Sequence, residues 1–217
     1  MKTAAAETLK LLLLEDHAMF RQALASVLGK EPDFKVVGQF GSSAEALAAL
    51  GHSGATMVLL DAYLGRDRAL DFVVESRKKG FKGQLLVVTA GVGGREAVQL
   101  IEAGVSGILH KHHSIDVLRA VIRQIAAGEV YLEQQYVAPL CRSADRTRTQ
   151  DWPLLTDRDK VVLRHIFQGL SNREIGVRLQ ITESGVKSSL RQLFDKLGVR
   201  TRAQLVKIAL EEYRDQL

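Results

Sequence analysis

The sequence is poor in cysteine. Cys141 stands alone among 217 residues, so no intramolecular disulfide can form and no set of thiolates can hold zinc. That excludes a secreted disulfide scaffold. Long apolar runs are missing too: the four leucines Leu11–Leu14 are far short of the about 20 residues a membrane span needs. They run into Glu15 and Asp16, not a small-residue cleavage site, which excludes a signal peptide. There is no internal repeat. Hydrophobic residues make up 46% and charged residues 25% of the chain, a globular balance that excludes wholesale disorder. A soluble chain of one to two domains in a reducing, cytoplasmic setting is expected.

The net charge is +5, and its distribution is uneven. Residues 1–133 carry fifteen Lys/Arg against fifteen Asp/Glu, residues 134–153 three against two, and residues 154–217 twelve against eight. A neutral N-terminal part is therefore followed by a basic, compact C-terminal part, which points the latter towards nucleic acid.

Up to about residue 127 short apolar runs alternate with amphipathic stretches. The runs Lys10–Leu14, Phe34–Phe40, Met57–Leu60, Leu85–Val88 and Gly107–Leu109 predict five strands. Phe20, Ala23, Leu24, Val27 and Leu28 recur at helical spacing, as do Leu118, Val121, Ile122 and Ile125. Ser42 with Glu45 reads as a capping box. Strand–helix alternation predicts an α/β domain with a doubly wound parallel sheet and right-handed crossovers over residues 1–133. Residues 134–153, with Pro139, Pro153 and the polar run Arg142–Gln150, read as a linker that also holds Cys141 as an inert thiol. Residues 154–217 read as four short helices opened by Thr156/Asp159, Ser171/Glu174, Thr182 and Thr201/Gln204, with Gly169 and Gly198 at two of their ends.

Ligands of an open parallel sheet bind beyond the carboxyl ends of its strands, where strand order reverses. Here those ends carry Glu15 and Asp16, Asp61, Thr89 and Lys111. With strand order 2-1-3-4-5 the three carboxylates converge. They repel one another unless a cation sits among them, and all-oxygen ligation selects magnesium over zinc. Lys111 adds a positive charge and Thr89 a hydroxyl donor. This is what phosphoryl transfer to a carboxylate needs.

Glu15-Asp16-His17 with Arg21 and Leu24, Leu59-Leu60-Asp61, Val88-Thr89-Ala90 and Gly107 to Lys111 resemble a response-regulator receiver domain over residues 9–128. The resemblance implies a flavodoxin-like (βα)5 fold and phosphorylation of Asp61 by a histidine kinase or a small acyl phosphate. It implies that Asp16, Asp61 and the backbone carbonyl of Tyr63 hold Mg2+ with Glu15 assisting, that Lys111 pairs with the phosphoryl group, and that Thr89 moves to bond it. Three departures stand out. Gly65 replaces the proline four positions after Asp61, which should loosen that loop. Ile108 replaces the switch aromatic, and Gly91, Gly93 and Gly94 make the loop after Thr89 flexible. His110, His112 and His113 around Lys111 read as a solvated loop.

In the C-terminal part a short helix, a turn at Gln180–Thr182 and a longer helix match helix-turn-helix spacing. Val186, Leu190, Leu193 and Leu197 face inwards, while Lys187, Ser188 and Arg191 form a basic, polar stripe suited to a major groove. Leu155-Thr156, Leu170 to Ile175, Val186-Lys187 and Lys196 to Val199 resemble the LuxR-type helix-turn-helix of NarL/FixJ regulators. The resemblance implies base or nearby phosphate contacts from Lys187, Ser188 and Arg191, and a dimer surface on the fourth helix. Asn172 and Arg202, each at a helix N-terminus, suit the DNA backbone. Gly185 departs from the pattern without a functional account.

The expected protein is a cytoplasmic response regulator, not an enzyme, whose partners are promoter DNA, a sensor histidine kinase and a second copy of itself. No membrane partner is expected. A second reading keeps the DNA binding and drops phospho-control, the receiver serving for dimerisation or ligand sensing. A magnesium phosphohydrolase is disfavoured because Tyr63 stands where such an enzyme would place a second acid.

Overall fold

The computed structural model describes residues 8–136, 139 and 153–212. Cys141 and the polar run 142–150 lie outside the described residues. Internal contacts group the chain into two compact units, residues 1–92 with 108–122 and residues 93–107 with 123–217.

The elements run β1 (Leu9–Leu14), α1 (Ala18–Leu28), β2 (Phe34–Phe40), α2 (Ser43–Leu50), β3 (Met57–Leu60), β4 (Tyr63–Leu64), β5 (Asp67–Arg68), α3 (Ala69–Lys78) and β6 (Gln84–Thr89). They continue with α4 (Gly94–Glu102), β7 (Gly107–His110), α5 (Ile115–Ala126) and β8 (Tyr131–Leu132). The six-stranded sheet has the order β2-β1-β3-β6-β7-β8, and β4 and β5 form a separate hairpin. The five predicted strands are all present in the expected order. β8 is an addition: two residues show no alternation for a sequence reading to find. β1 pairs parallel with both β2 and β3, and β3 pairs parallel with β6.

Leu11–Leu14, Met57–Leu60 and Leu85–Val88 are all buried, as expected for strands covered on both faces, where continuous apolar runs replace alternation. Leu14 is level with Leu60, and Leu60 with Val87. That register delivers Glu15, Asp61 and Thr89 to one edge of the sheet.

The second unit contains four helices that close a small core: α6 (Asp157–Phe167), α7 (Asn172–Leu179), α8 (Glu183–Leu197) and α9 (Arg202–Glu212). Each start is chemically marked. Thr156 with Asp159 and Ser171 with Glu174 form complete capping boxes, and Thr182 Oγ1 accepts from the Gly185 amide at 3.1 Å. At α9, Thr201 Oγ1 accepts from the Gln204 amide while Gln204 Oε1 accepts from the Thr201 amide, both at 3.2 Å. Leu163, Ile166, Ile175, Val186, Leu190, Leu193, Leu197 and Leu205 pack the interior. The turn between α7 and α8 folds tightly back on α7. A Cβ on Gly176 would lie 2.8 Å from the Ile181 carbonyl oxygen, so no larger residue fits there, and the turn passes through Gln180 at φ 55°.

Candidate functional site

The acidic pocket forms where the sheet register places it. Lys111 Nζ donates to Glu15 Oε2 at 2.7 Å and to Asp61 Oδ2 at 2.6 Å, so one ammonium joins strands β1, β3 and β7. Glu15 and Asp61 are buried. Burial by itself lowers the pKa of Lys111; the hydrogen bonds and charges of Asp61 and Glu15 outweigh it, and the net shift is upward. The ring of Phe20 lies under the ammonium, 4.7 Å away at its centroid. Asp61 Oδ1 accepts from the Ala62 amide at 2.7 Å, and Asp16 Oδ2 from the Gly65 amide at 2.9 Å. Asp16 Oδ1 is buried and receives no hydrogen bond.

One ligand atom from each of Glu15, Asp16, His17 and Asp61 lies within 4.8 Å of all the others. Three of the four are carboxylates, and an orphaned carboxylate oxygen is a cost that a cation removes. The donor set therefore fits a magnesium ion. His17 was not expected to take part. Its Nδ1 stands 2.9 Å from Glu15 Oε1 and 3.0 Å from Asp16 Oδ1, and the Glu15 bond, followed by the two carboxylate charges, raises its pKa. Its position directly after two acids was the sequence signal available for it.

Thr89 is fully buried at the end of β6. Its hydroxyl oxygen accepts from the Gly91 amide at 3.1 Å and donates to the Gly91 carbonyl at 3.3 Å, so it addresses the following loop. Lys111 ties this edge together, its amide donating to the Thr89 carbonyl at 2.7 Å. Ile108 is fully buried. Tyr63 opens the β4–β5 hairpin, partly exposed, with the Arg68 guanidinium 5.6 Å from its ring centroid.

The loop after Asp61 differs from the loosened segment expected. Tyr63 pairs with Arg68 and Leu64 with Asp67, and Gly65 makes the turn at φ 65°. A proline cannot adopt that φ and has no amide hydrogen to give Asp16. Glycine therefore fastens this loop to the acidic pocket. The three histidines also form more than a solvated loop: adjacent rings are 4.3 and 4.1 Å apart, and His110 Nδ1 accepts from the His112 amide at 3.1 Å.

On α8, Lys187, Ser188 and Arg191 are exposed while Val186, Leu190, Leu193 and Leu197 are buried. The predicted basic stripe is in place, with Lys187 paired to Glu183 at 2.9 Å. Asn172 and Arg202, read from the sequence as suited to the DNA backbone, turn inwards. They are 2% and 6% exposed, and Arg202 donates to Asn172 Oδ1 at 2.9 Å and to the Leu170 carbonyl. Arg202 thereby joins two helix starts of the bundle, and the Asn172 amide nitrogen donates to the Ala127 carbonyl at 3.0 Å, just past α5. Burial pushes the Arg202 guanidinium pKa down against the nearby charge of Glu129, so the bonds to these oxygens offset a desolvation cost. Among the described residues, no helix is long and apolar enough to cross a membrane.

Comparison with known proteins places both parts of the chain in families. Residues 11–123 match the family model of the response regulator receiver domain, and residues 153–209 that of the LuxR family of bacterial regulatory proteins. The nitrate/nitrite response regulator protein homolog of Haemophilus influenzae is 32% identical over 96% of this chain and 99% of its own length. The nitrate/nitrite response regulator protein NarL of Escherichia coli is 29% identical over 91% of this chain and 93% of its own. The structure of RcsB from Salmonella enterica, bound to a promoter in the presence of a phosphomimetic, covers 96% of this chain and 98% of its own at 17% identity and a TM-score of 0.58, a likeness of fold. With an acidic pocket at the strand ends of its N-terminal part and a helix-turn-helix in its C-terminal part, the chain belongs to the response regulators of two-component systems, a receiver domain joined to a LuxR-type DNA-binding domain.

Proposed function

We propose that Asp61 is the phosphoacceptor and that its phosphorylation by a sensor histidine kinase controls dimerisation and promoter binding. The observation that carries this reading is the Lys111 ammonium held between Glu15 and Asp61 at 2.7 and 2.6 Å. A carboxylate oxygen of Asp61 attacks phosphorus; the new O–P bond replaces the P–N bond of phosphohistidine, whose electron pair leaves with the imidazole. Asp16, Asp61, the Tyr63 carbonyl and Glu15 would hold Mg2+, which would supply positive charge to neutralise the phosphoryl oxygens. Lys111 supplies the second positive charge. Thr89 leaves Gly91 to bond the phosphoryl group, and Lys187, Ser188 and Arg191 read DNA.

Incubation of the whole chain with Mg2+ and acetyl phosphate should give a single phosphorylated species on a phosphate-affinity gel, lost in Asp61→Asn. Dimer formation and promoter affinity should rise with that species. Label retained in Asp61→Asn overturns the assignment.

A second reading has its own support. Ile108 is fully buried and presents no ring to turn inwards when Thr89 moves. In that reading DNA binding is independent of phosphorylation, and Asp61→Asn leaves promoter affinity and dimerisation unchanged.

A further inference from the structure

A groove of about 710 Å3 lies within the first unit, between the ends of α2 and α3 and the starts of β3 and β6. It is at the end of the sheet opposite the acidic pocket, and its volume is that of a small-molecule site. Leu47, Leu50 and Phe81 form its apolar wall. The Phe81 ring is held in place there. A Cβ on Gly83 would lie 2.4 Å from the ring's Cζ and 2.6 Å from the Thr56 carbonyl oxygen, so only glycine lets the ring sit against this backbone.

The charge around the groove has one sign. Lys79 and Lys82 line it, and no acidic residue does. Lys10 Nζ would stand 3.6 Å from a Cβ on Gly54 of the same wall. Among the described residues none of these three exposed ammonium groups has an ion pair, whereas the neighbouring Lys78 is held by Glu75 at 2.7 Å. Lysines near the carboxyl end of a helix often serve its last carbonyls. Here those carbonyls have other donors. Ser53 Oγ donates to Leu50 at 3.2 Å, and the amides of Lys79, Gly80 and Phe81 donate to Glu75, Arg77 and Ser76. Arg77 Nη1 takes the carbonyls of both Phe81 and Gly83 at 2.8 Å. The countercharge for the lysines must therefore come from a ligand.

We propose that this groove binds a nucleoside phosphate, its base against Phe81 and the two leucines and its phosphates on Lys79, Lys82 and Lys10. Ammonium groups are compact point charges that bind phosphate oxygens without a fixed geometry. A rigid aromatic ring beside them suits a planar base. Inorganic phosphate would leave the apolar wall wet, and an uncharged ring would leave the lysines unmatched. The site uses neither Asp61 nor a metal, so it stands apart from the phosphoacceptor reading.

The test is calorimetric titration of the full chain with ADP, adenosine and pyrophosphate, in EDTA at low salt. EDTA removes the divalent ions through which the acidic pocket could hold a phosphate. ADP should bind at one site, with adenosine and pyrophosphate each at least about tenfold weaker, since each lacks one half of the contacts. Gly51 allows the groove to be filled without strain: its φ is −70°, and a Cβ there would meet nothing within 4 Å. Gly51→Phe should weaken ADP at least about tenfold and leave the circular dichroism unchanged. Lys82→Ala, an exposed change, should weaken ADP about tenfold and alter adenosine by less than about twofold. ADP affinity unchanged in both variants overturns the proposal, as does the absence of any ADP binding by the unaltered chain. A loss seen in Lys187→Ala instead puts ADP on the basic stripe of α8 and overturns it too. Pyrophosphate binding as tightly as ADP removes the base from the groove and overturns the nucleoside assignment.

Discussion

At Gly65 a replacement of the family's proline does the opposite of what its freedom suggests. The φ of 65° is the left-handed conformation that glycine adopts without strain, and its amide donates to Asp16 at 2.9 Å. A Cβ would have nothing nearer than Asp16 Oδ2 at 4.0 Å, so Gly65→Ala carries a conformational cost alone, about 1 kcal/mol. Gly65→Pro also loses a hydrogen bond to a charged acceptor, worth about 1.5–3 kcal/mol, and meets a φ it cannot adopt. Urea unfolding should place the two variants in that order at an unchanged m-value. None of this was legible in sequence, where glycine signifies permissiveness and the partner that uses it lies 49 positions away. The inward turn of Arg202 was hidden for the same reason. A charged side chain at a helix start reads as exposed until the carbonyls that capture it are known. Glu15, Asp16, Asp61 and Lys111 were legible because each follows a short apolar run that alternates with helical patterns along the chain.

At the scale of elements, the helices of the C-terminal bundle are specified locally, and their starts could be read from Thr156, Ser171, Thr182 and Thr201. Asp159 serves two of them. Its carboxylate accepts from the Thr156 amide at 3.0 Å in the α6 cap and from Lys196 of α8 at 2.8 Å. Partial burial pushes its pKa up, but the bonds from Lys196 and Thr156 outweigh burial and the net shift is downward. A carboxylate with a depressed folded pKa stabilises at pH above its unfolded value near 4 and loses that contribution as pH falls through the folded value. Asp159→Asn should therefore lower thermal stability by about 1 kcal/mol at neutral pH, and the gap to the unaltered chain should shrink below about pH 4. Gly185 gives a prediction of opposite sign. It lies in the first turn of α8, and a Cβ there would meet Thr182 Oγ1 at 3.4 Å, an ordinary contact. Gly185→Ala keeps the amide bond to Thr182 and should stabilise by about 0.5–1 kcal/mol, visible as a raised urea midpoint.

For the molecule as a whole, the neutral receiver and the basic bundle divide the electrostatic work. Lys187 is exposed and held by Glu183 at 2.9 Å, a surface pair worth less than about 1 kcal/mol that a DNA phosphate or base edge can replace. Lys187→Ala should weaken promoter binding, and if its partner is a phosphate the slope of log affinity against log salt should flatten by about one. A base contact would instead relax sequence preference at one position and leave that slope alone. The pocket makes a different demand on the chain. Glu15 and Lys111 meet across 96 positions, and the ammonium that joins them follows the fifth main strand of the sheet. A nascent polypeptide emerging from the ribosome cannot assemble the centre until that strand has cleared the exit tunnel and docked.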